Sequence, residues 1–366
     1  MLNRKAIKAF PLESRDHALT MADIKICPKS KPEPMTDFQR EQCDFLSDKF
    51  KKAIELNKAR MVTYGAHSIK NGLGPVFCKL LWENVITHVA TNGAGSIHDW
   101  EFALIGKSTE SVKRYVAEGK FGIWDETGKY INLAVILGSA TGLGYGEAIG
   151  KMIDEDGLMI PSELDLKESI KKDLDNETTD TTAGKVELLK IIKEYNIPAG
   201  KMKIEHKCKD ISVQYVSYKL GKPLTVHPGI GYDIIYTHPW NTSGSIGICA
   251  EKDFLAFAGD VENLSDGGIH VTVGSAVMAP MVFEKSMSLA NNLRIQKGLG
   301  PSKDYTIAVV DIADGGNWDW TKGEPPMDNP AYYLRFCKTF SRMGGDLHYV
   351  CIDNRQFLLR LCENLL

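Results

Sequence analysis

The sequence predicts an α/β fold: a mainly parallel sheet with helices on both faces. Short apolar runs alternate with helical patterns, which is the signature of strands joined by covering helices. The tips that follow these runs are rich in glycine, asparagine and aspartate, and they recur at the same end of successive strands. Length and composition agree, since 366 residues with 43% hydrophobic and 25% charged content suit a soluble protein with a sizeable core.

The elements follow in order. Residues 1–34 read as an arm, because the prolines and lysines of "KICPKSKPEPM" resist both helix and strand. From Thr36 a helix is expected, with Phe38, Phe45, Leu46, Phe50, Ala53 and Ile54 near one face. "VITHVATNG" reads as strand and turn, and "DWEFALIG" and "ESVKRYVAEG" as helical pieces. The polar segment 171–185 lacks periodicity and reads as an exposed loop. Then come helices "VELLKIIKEYN" and "ISVQYVSYKLG", strand "PLTVHPG", helix "KDFLAFAGDVENL" and strand "IHVTVGSA". Helix "MVFEKSMSLANNLR", strand "TIAVVDIAD", helix "PAYYLRFCKTFSRMG", strand "LHYVCID" and helix "RQFLLRLCENLL" complete the chain. The division is an N-terminal arm and helix over residues 1–60 and a single domain over 61–366.

Charge and composition exclude several classes. A net charge of -3 and pI near 6.3 argue against nucleic-acid binding. No segment reaches the ~18 apolar residues of a membrane span, and the first residues lack the apolar stretch of a signal peptide. Eight cysteines without a C-x-x-C read as reduced thiols, so a cytoplasmic location is expected. His206-Lys-Cys208 has no second ligand pair nearby, so no metal is expected.

The segment "GLGYGEAIG" (142–150) invites comparison with a dinucleotide-binding loop, G-x-G-x-x-G. Counted from Gly142 the third glycine falls on Glu147, and counted from Gly144 it falls on Ile149. Neither frame closes, so a dinucleotide site has to lie elsewhere. In "GGNWDWTKGE", Asp319 stands between Trp318 and Trp320; either the tryptophans cap the edge of the core, or carboxylate and indole faces together hold an organic cation. Asp233, among apolar and aromatic neighbours, either caps a helix or meets a buried cation. Lys338 lies in the apolar run "RFCKTF", where it either snorkels to water, as most lysines in such helices do, or is desolvated into a neutral, nucleophilic amine.

Taken in order, "TYGAHSIKNGL", "VATNGAGSIHD", "VQYVSYKLGKPLTVHPGIGYD", "SLANNLR", "DYTIAVVDIADGGNWD" and "PAYYLRFCK" with "HYVCIDNRQFLLRL" resemble the deoxyhypusine synthase family across residues 60–366. The resemblance implies a Rossmann-like subunit in a homotetramer, with NAD as cofactor. It implies oxidation of a polyamine such as spermidine, and capture of its aminobutyl group as an imine on Lys338. The acceptor would be a protein lysine, on translation initiation factor five-A, or a small amine such as putrescine, as in homospermidine synthases. Carried over by position, NAD contacts fall on Ala66, His67, Ser68, Ile69, Lys70, Asn92, Gly93, Ala94, Asp311, Ile312, Asp353 and Asn354. His98 takes the place of a glutamate shared by NAD and the polyamine. Substrate contacts fall on Asp233, Trp318 and Asp319. Ser286, Tyr332, Pro228 and Phe336-Cys337 depart from the family pattern. Two further readings stand beside this one: an NAD-dependent protein deacylase, for which "GAGS" speaks, and a catalytically silent homologue that binds NAD or an amine.

Overall fold

Six strands form one sheet: β1 (Arg60–Tyr64), β2 (His88–Asn92), β3 (Leu224–His227), β4 (Ile269–Val273), β5 (Thr306–Asp311) and β6 (Asp346–Cys351). They are described by a computed structural model covering residues 1–366. Every pairing is parallel and the spatial order is β6-β5-β4-β1-β2-β3. This is the doubly wound order of a Rossmann-like α/β fold, with its reversal between β1 and β4.

The chain divides into two compact units. One holds Met1–Ile24, Ser96–Gly221 and Pro228–Asp253; the other holds Lys25–Gly95, Lys222–His227 and Phe254–Leu366. The second unit contains the whole sheet. Alternate residues point to opposite faces. On one face Met61, Ala90, Ile307, Val309 and Leu347 pack with Phe257, Val261, Phe283, Met287 and Phe340 from the covering helices. Helices Asp37–Glu55 and Asn354–Leu365 pack together elsewhere in this unit, clamped by Arg360 on Asp44 through bonds of 2.7 and 2.8 Å.

The helix expected from Thr36 forms as Asp37–Glu55. A reciprocal cap starts it, with Gln39 N donating to Thr36 Oγ1 (3.2 Å) and Thr36 N to Gln39 Oε1 (3.1 Å). Its buried stripe is Cys43, Leu46, Phe50 and Ala53, whereas Phe38, Phe45 and Ile54 are exposed. The apolar stripe read from spacing is thus wider than the face that packs.

The first unit is mainly helical: Asp125–Thr141, Tyr145–Asp154, Glu163–Asp175, Asp180–Tyr195 and Val213–Lys219, with an antiparallel pair Gly157–Ile160 and Gly200–Lys203. Residues Leu19–Thr20 pair with Lys107–Ser108, and Arg15 grips Glu101 through two bonds of 2.8 and 2.7 Å. Segment 171–185 is not an exposed loop. It holds the end of one helix and the start of another, joined through Lys185 and Asp173 at 2.7 Å. Polar composition hid the first helix and the opening of the second, whose body "VELLKIIKEYN" was expected. No single helix is long and apolar enough to cross a membrane. The bent pair Asp125–Thr141 and Tyr145–Asp154, at 112°, passes by length and composition alone.

The segment 142–150 joins those two helices. Gly142 ends the first at φ 75° and Gly144 begins the second. A side-chain carbon on Gly144 would lie 1.9 Å from Asp253 Oδ1, and one on Gly150 would lie 2.6 Å from Gln214 O. These glycines serve close helix packing, in agreement with the glycine count that failed to close.

Candidate functional site at the carboxyl edge of the sheet

In an open parallel sheet, a ligand finds room beyond the carboxyl ends of the strands where the strand order reverses. Here β1 runs into Gly65 and β4 into Gly274. A side-chain carbon on Gly65 would stand 2.0 Å from Gly274 O, so only glycine fits there. Gly65 N donates to Val273 O (3.0 Å) and Gly274 N to Val310 O (2.9 Å), which ties β1, β4 and β5 at this level. Gly274 has φ 58°, a left-handed turn that glycine adopts without strain.

Several of the residues expected to hold NAD meet at this edge. Ala66–Lys70 form a short helix directly after Gly65, with His67 exposed and Ser68 and Ile69 buried. Asn354 donates to Ser68 Oγ at 3.3 Å, and Asn71 donates to Asn354 Oδ1 at 3.0 Å. The turn after β1 and the turn after β6 are therefore linked. Asp353 caps the last helix and clamps Arg355, with bonds of 2.8, 2.9 and 3.0 Å; those hydrogen bonds hold its carboxyl below the usual aspartate range. Asp311 accepts from Ala313 N (2.9 Å), its carbonyl accepts from Ile352 N (2.9 Å), and Ile312 is exposed. At the end of β2, Asn92 accepts from Gly95 N (2.8 Å), and the helix Gly93–Ile105 starts at once.

The remaining expected residues are placed differently. His98 belongs to the first unit, where its Nδ1 lies 2.8 Å from Ser108 Oγ, which donates to Glu101. Asp233 is also in the first unit. It is buried and accepts from Gly229 N at 2.8 Å, and desolvation raises its carboxyl to about 6. Asp319 and Lys338 lie in the second unit but in separate settings. Asp319 accepts from Thr321 N and Oγ1, at 3.1 and 2.6 Å, in its own short turn. Those bonds hold it below the usual aspartate range. Lys338 Nζ sits 3.1 Å from the centre of the Tyr332 ring and 3.9 Å from Glu324. Trp318 donates to Gly323 O (2.9 Å) and packs on the core. Trp318 and Asp319 share a groove of about 850 Å³ with Phe38, Phe45, Asp314 and Tyr349; Lys338 does not line it. No group of three or more histidine, cysteine, aspartate or glutamate side chains is placed to hold a metal ion.

Sequence reasoning missed a polar row on a buried face of the sheet. His88 Nδ1 lies 2.6 Å from Asp260, and His88 Nε2 lies 3.0 Å from Thr225 Oγ1. Thr225 Oγ1 in turn lies 3.1 Å from His227 Nε2. Alongside, His270 Nε2 lies 2.9 Å from Thr63 Oγ1. Burial lowers both His227 and His270 to about 3, so both rings are neutral. A signal was present: "LTVHP" and "IHVTV" place threonine and histidine two apart within otherwise apolar strands, and "THVATN" opens a strand on a histidine.

No protein-family model and no curated protein matches this chain. Similarity to solved structures is weak. Unliganded AgrE shares 13% identity at a TM-score of 0.44, over 91% of this chain and 34% of that one. A conserved LOR/SDH protein from Methanococcus maripaludis S2 shares 13% at 0.41, over 92% and 71% respectively. ArgZ, an arginine dihydrolase from the ornithine-ammonia cycle in cyanobacteria, shares 12% at 0.42, over 91% and 32%. AgrE is also known in a ternary complex with ornithine and NAD+. The chain spans about a third of the length of AgrE. Scores this low lend the chain none of those proteins' activities. The deoxyhypusine synthase resemblance is corrected by these findings: no model of that family matches, and the solved structures named belong elsewhere. Aminobutyl transfer, the lysine imine and polyamine, spermidine or homospermidine chemistry fall with it, as do the deacylase and silent-homologue readings.

Proposed function

We propose that this chain is an NAD-binding enzyme whose cofactor lies along the carboxyl edge of the sheet, across the reversal between β1 and β4. The observation that carries the reading is Gly65 against Gly274 at that reversal, in a sheet of strand order 3-2-1-4-5-6. At Gly274 an added side-chain carbon would meet nothing within 4 Å, so beside this close contact a pyrophosphate would have room to approach. Ala66, His67, Ser68, Ile69 and Lys70 would line one side of it, with Asn92, Gly93 and Ala94, Asp311 and Ile312, and Asp353 and Asn354 along the rest. When bound, the nicotinamide supplies a hydride acceptor. This fold often places a carboxylate near the end of the second strand to hold the ribose; here Asn92 ends β2 and brings no charge. A 2′-phosphate would meet no repulsion from it, so NADP+ is the ligand to compare.

Calorimetric titration with NAD+ and NADP+ tests the reading, alongside the variant Ala66→Asp. A carboxylate about 5 Å from a pyrophosphate at an effective dielectric near 20 costs about 3 kcal/mol. Saturable binding that weakens at least tenfold in the variant is expected. Failure of both dinucleotides to bind the wild-type chain refutes the proposal.

A further inference from the structure

The row Asp260, His88, Thr225 and His227 has a property that a set of core polar pairs lacks: its hydrogen bonds run in series. Asp260 is on the helix Ser243–Glu262 with its side chain 32% exposed, while the His88 ring is fully buried. His88 opens β2, and Val89 N donates to Pro223 O just before β3. His227 closes β3 opposite Asn92, at the proposed cofactor edge. From the level of Pro223 to that of His227 is four residues of strand, about 13 Å. The row thus reaches from a partly exposed carboxylate to the carboxyl edge.

With His88 taken as the neutral ring, donor and acceptor roles along the row follow. An ionised carboxylate only accepts, so His88 carries its proton on Nδ1 and gives it to Asp260 Oδ2. Neutral His88 then accepts at Nε2, which requires the Thr225 hydroxyl to donate there. Thr225 Oγ1 has His227 Nε2 as its other neighbour, at 3.1 Å, and must accept from it. His227 therefore carries its proton on Nε2 and keeps a lone pair on Nδ1. Each member donates to the next in one direction.

We propose that Asp260, His88, Thr225 and His227 form a proton relay between solvent and the edge of the sheet where the cofactor is proposed to lie. A proton released at the edge forms a bond to His227 Nδ1. The Nε2–H bond of His227 breaks as its proton passes to Thr225 Oγ1. The Thr225 hydroxyl proton passes to His88 Nε2, and the His88 Nδ1 proton passes to the Asp260 carboxylate, which water then deprotonates. No electron pair leaves the row and no ring is oxidised or reduced. Because His227 is a weak base in this setting, it passes the proton on without holding positive charge. The roles reset when each imidazole and the hydroxyl return to the starting tautomer.

The relay rests on the nucleotide reading for its purpose, but its test does not need a substrate. Nitrogen-15 spectra of the intact chain, labelled at histidine, report the tautomer of each ring, and exchange into deuterated water reports how fast the ring protons reach solvent. The wild type is expected to show His88 protonated on Nδ1 and His227 on Nε2. Thr225→Val keeps the size of the side chain and removes the link. It is expected to slow exchange of the His227 ring proton about tenfold or more and to leave His88 exchange unchanged. Should that variant lose its fold, Asp260→Asn serves instead: an amide can still accept from His88 but cannot take up the proton, so His227 exchange slows in the same way. Protonation of His227 on Nδ1 in the wild type, or unchanged exchange in a folded variant, overturns the relay. A titration of the same samples with NAD+ keeps the two proposals apart: absent binding with the expected tautomers refutes the nucleotide site and leaves the relay standing.

Discussion

Arg15→Met tests the strongest buried electrostatic contact in the first unit. Arg15 is 5% exposed and Glu101 is 0% exposed, and two charge-assisted bonds join them. Glu101 also accepts from Ser108 Oγ (2.5 Å) and Thr127 Oγ1 (2.8 Å). Removing the guanidinium leaves a carboxylate in a dry site with two hydroxyl donors and without its bonded cation, and breaking a buried pair in this way costs about 3–5 kcal/mol. Burial alone would raise the carboxyl pKa; the charge and hydrogen bonds of Arg15, with His98 and Ser108, together outweigh it and the net shift is downward. A carboxyl depressed in the folded state stabilises the fold above its unfolded value of 4.5, and that stabilisation is lost as pH falls through the lower folded value. In Arg15→Met the sign reverses, because the unpaired carboxyl prefers its proton; the penalty is full at pH 7 and shrinks as pH falls toward 4.5. Urea unfolding followed by circular dichroism at pH 7 and pH 5 measures both effects. A loss below about 1 kcal/mol at pH 7, equal at the two pH values, refutes the assignment of Arg15 as the charge that holds Glu101 ionised.

Asp233→Asn is expected to stabilise the chain at pH 7. The folded carboxyl sits near 6 against 3.8 unfolded, so ionising it costs up to about 3 kcal/mol, and the gain vanishes below pH 3.8 in a denaturant series. Burial lowers His206 to about 4, so the folded chain resists a proton that the unfolded chain takes up below 6.5. Stability should fall between those values by up to about 1.4 kcal/mol per pH unit from this group, and His206→Phe should flatten the slope. Gly65→Ala drives a carbon to 2.0 Å from Gly274 O and should cost about 1–3 kcal/mol in urea melts. Gly274→Ala meets nothing within 4 Å and should cost only the left-handed strain, about 1–2 kcal/mol. Equal losses at the two glycines would show that close approach does not set the geometry of the reversal.

Five of the six strands were legible because runs such as "THVATN", "IHVTV" and "TIAVVD" are apolar, β-branched and bounded by turn residues; the central strand β1, "RMVTY", was missed, although it is buried throughout. The helix before residues 176–179 was not legible, nor was the first turn of the helix after them, whose apolar body "VELLKIIKEYN" was read correctly. The missed stretches are held by caps and the Lys185–Asp173 pair, contacts that an apolar period does not register. Arg15 was passed over for a similar reason. Its partner Glu101 is far along the chain, and nothing local to "LESRDH" distinguishes a buried arginine from a solvated one.

The site poses a sharper question, because the strand tips do gather along the carboxyl edge of the sheet while the chemistry drawn from them was wrong. The matching segments, "VATNGAG", "VDIADGG" and "VCIDN", are all places where a parallel strand ends and the chain turns. Asn92 takes the Gly95 amide, Asp311 the Ala313 amide, Asp314 the Gly316 amide and Asp353 the Arg355 amide. Each polar residue thus satisfies a backbone donor next to itself, as any doubly wound sheet requires of its turns. A colinear series of such tips therefore tracks the topology and carries little information about what is bound. Residues that a turn does not need are better evidence of function. The His88, Thr225 and His227 row is of that kind, since a strand buried on both faces gains nothing from polar side chains unless they are bonded to one another. If replacing that row with valine and phenylalanine raised stability and left nucleotide binding intact, the edge would have to be sought in the Gly65 and Gly274 backbone alone.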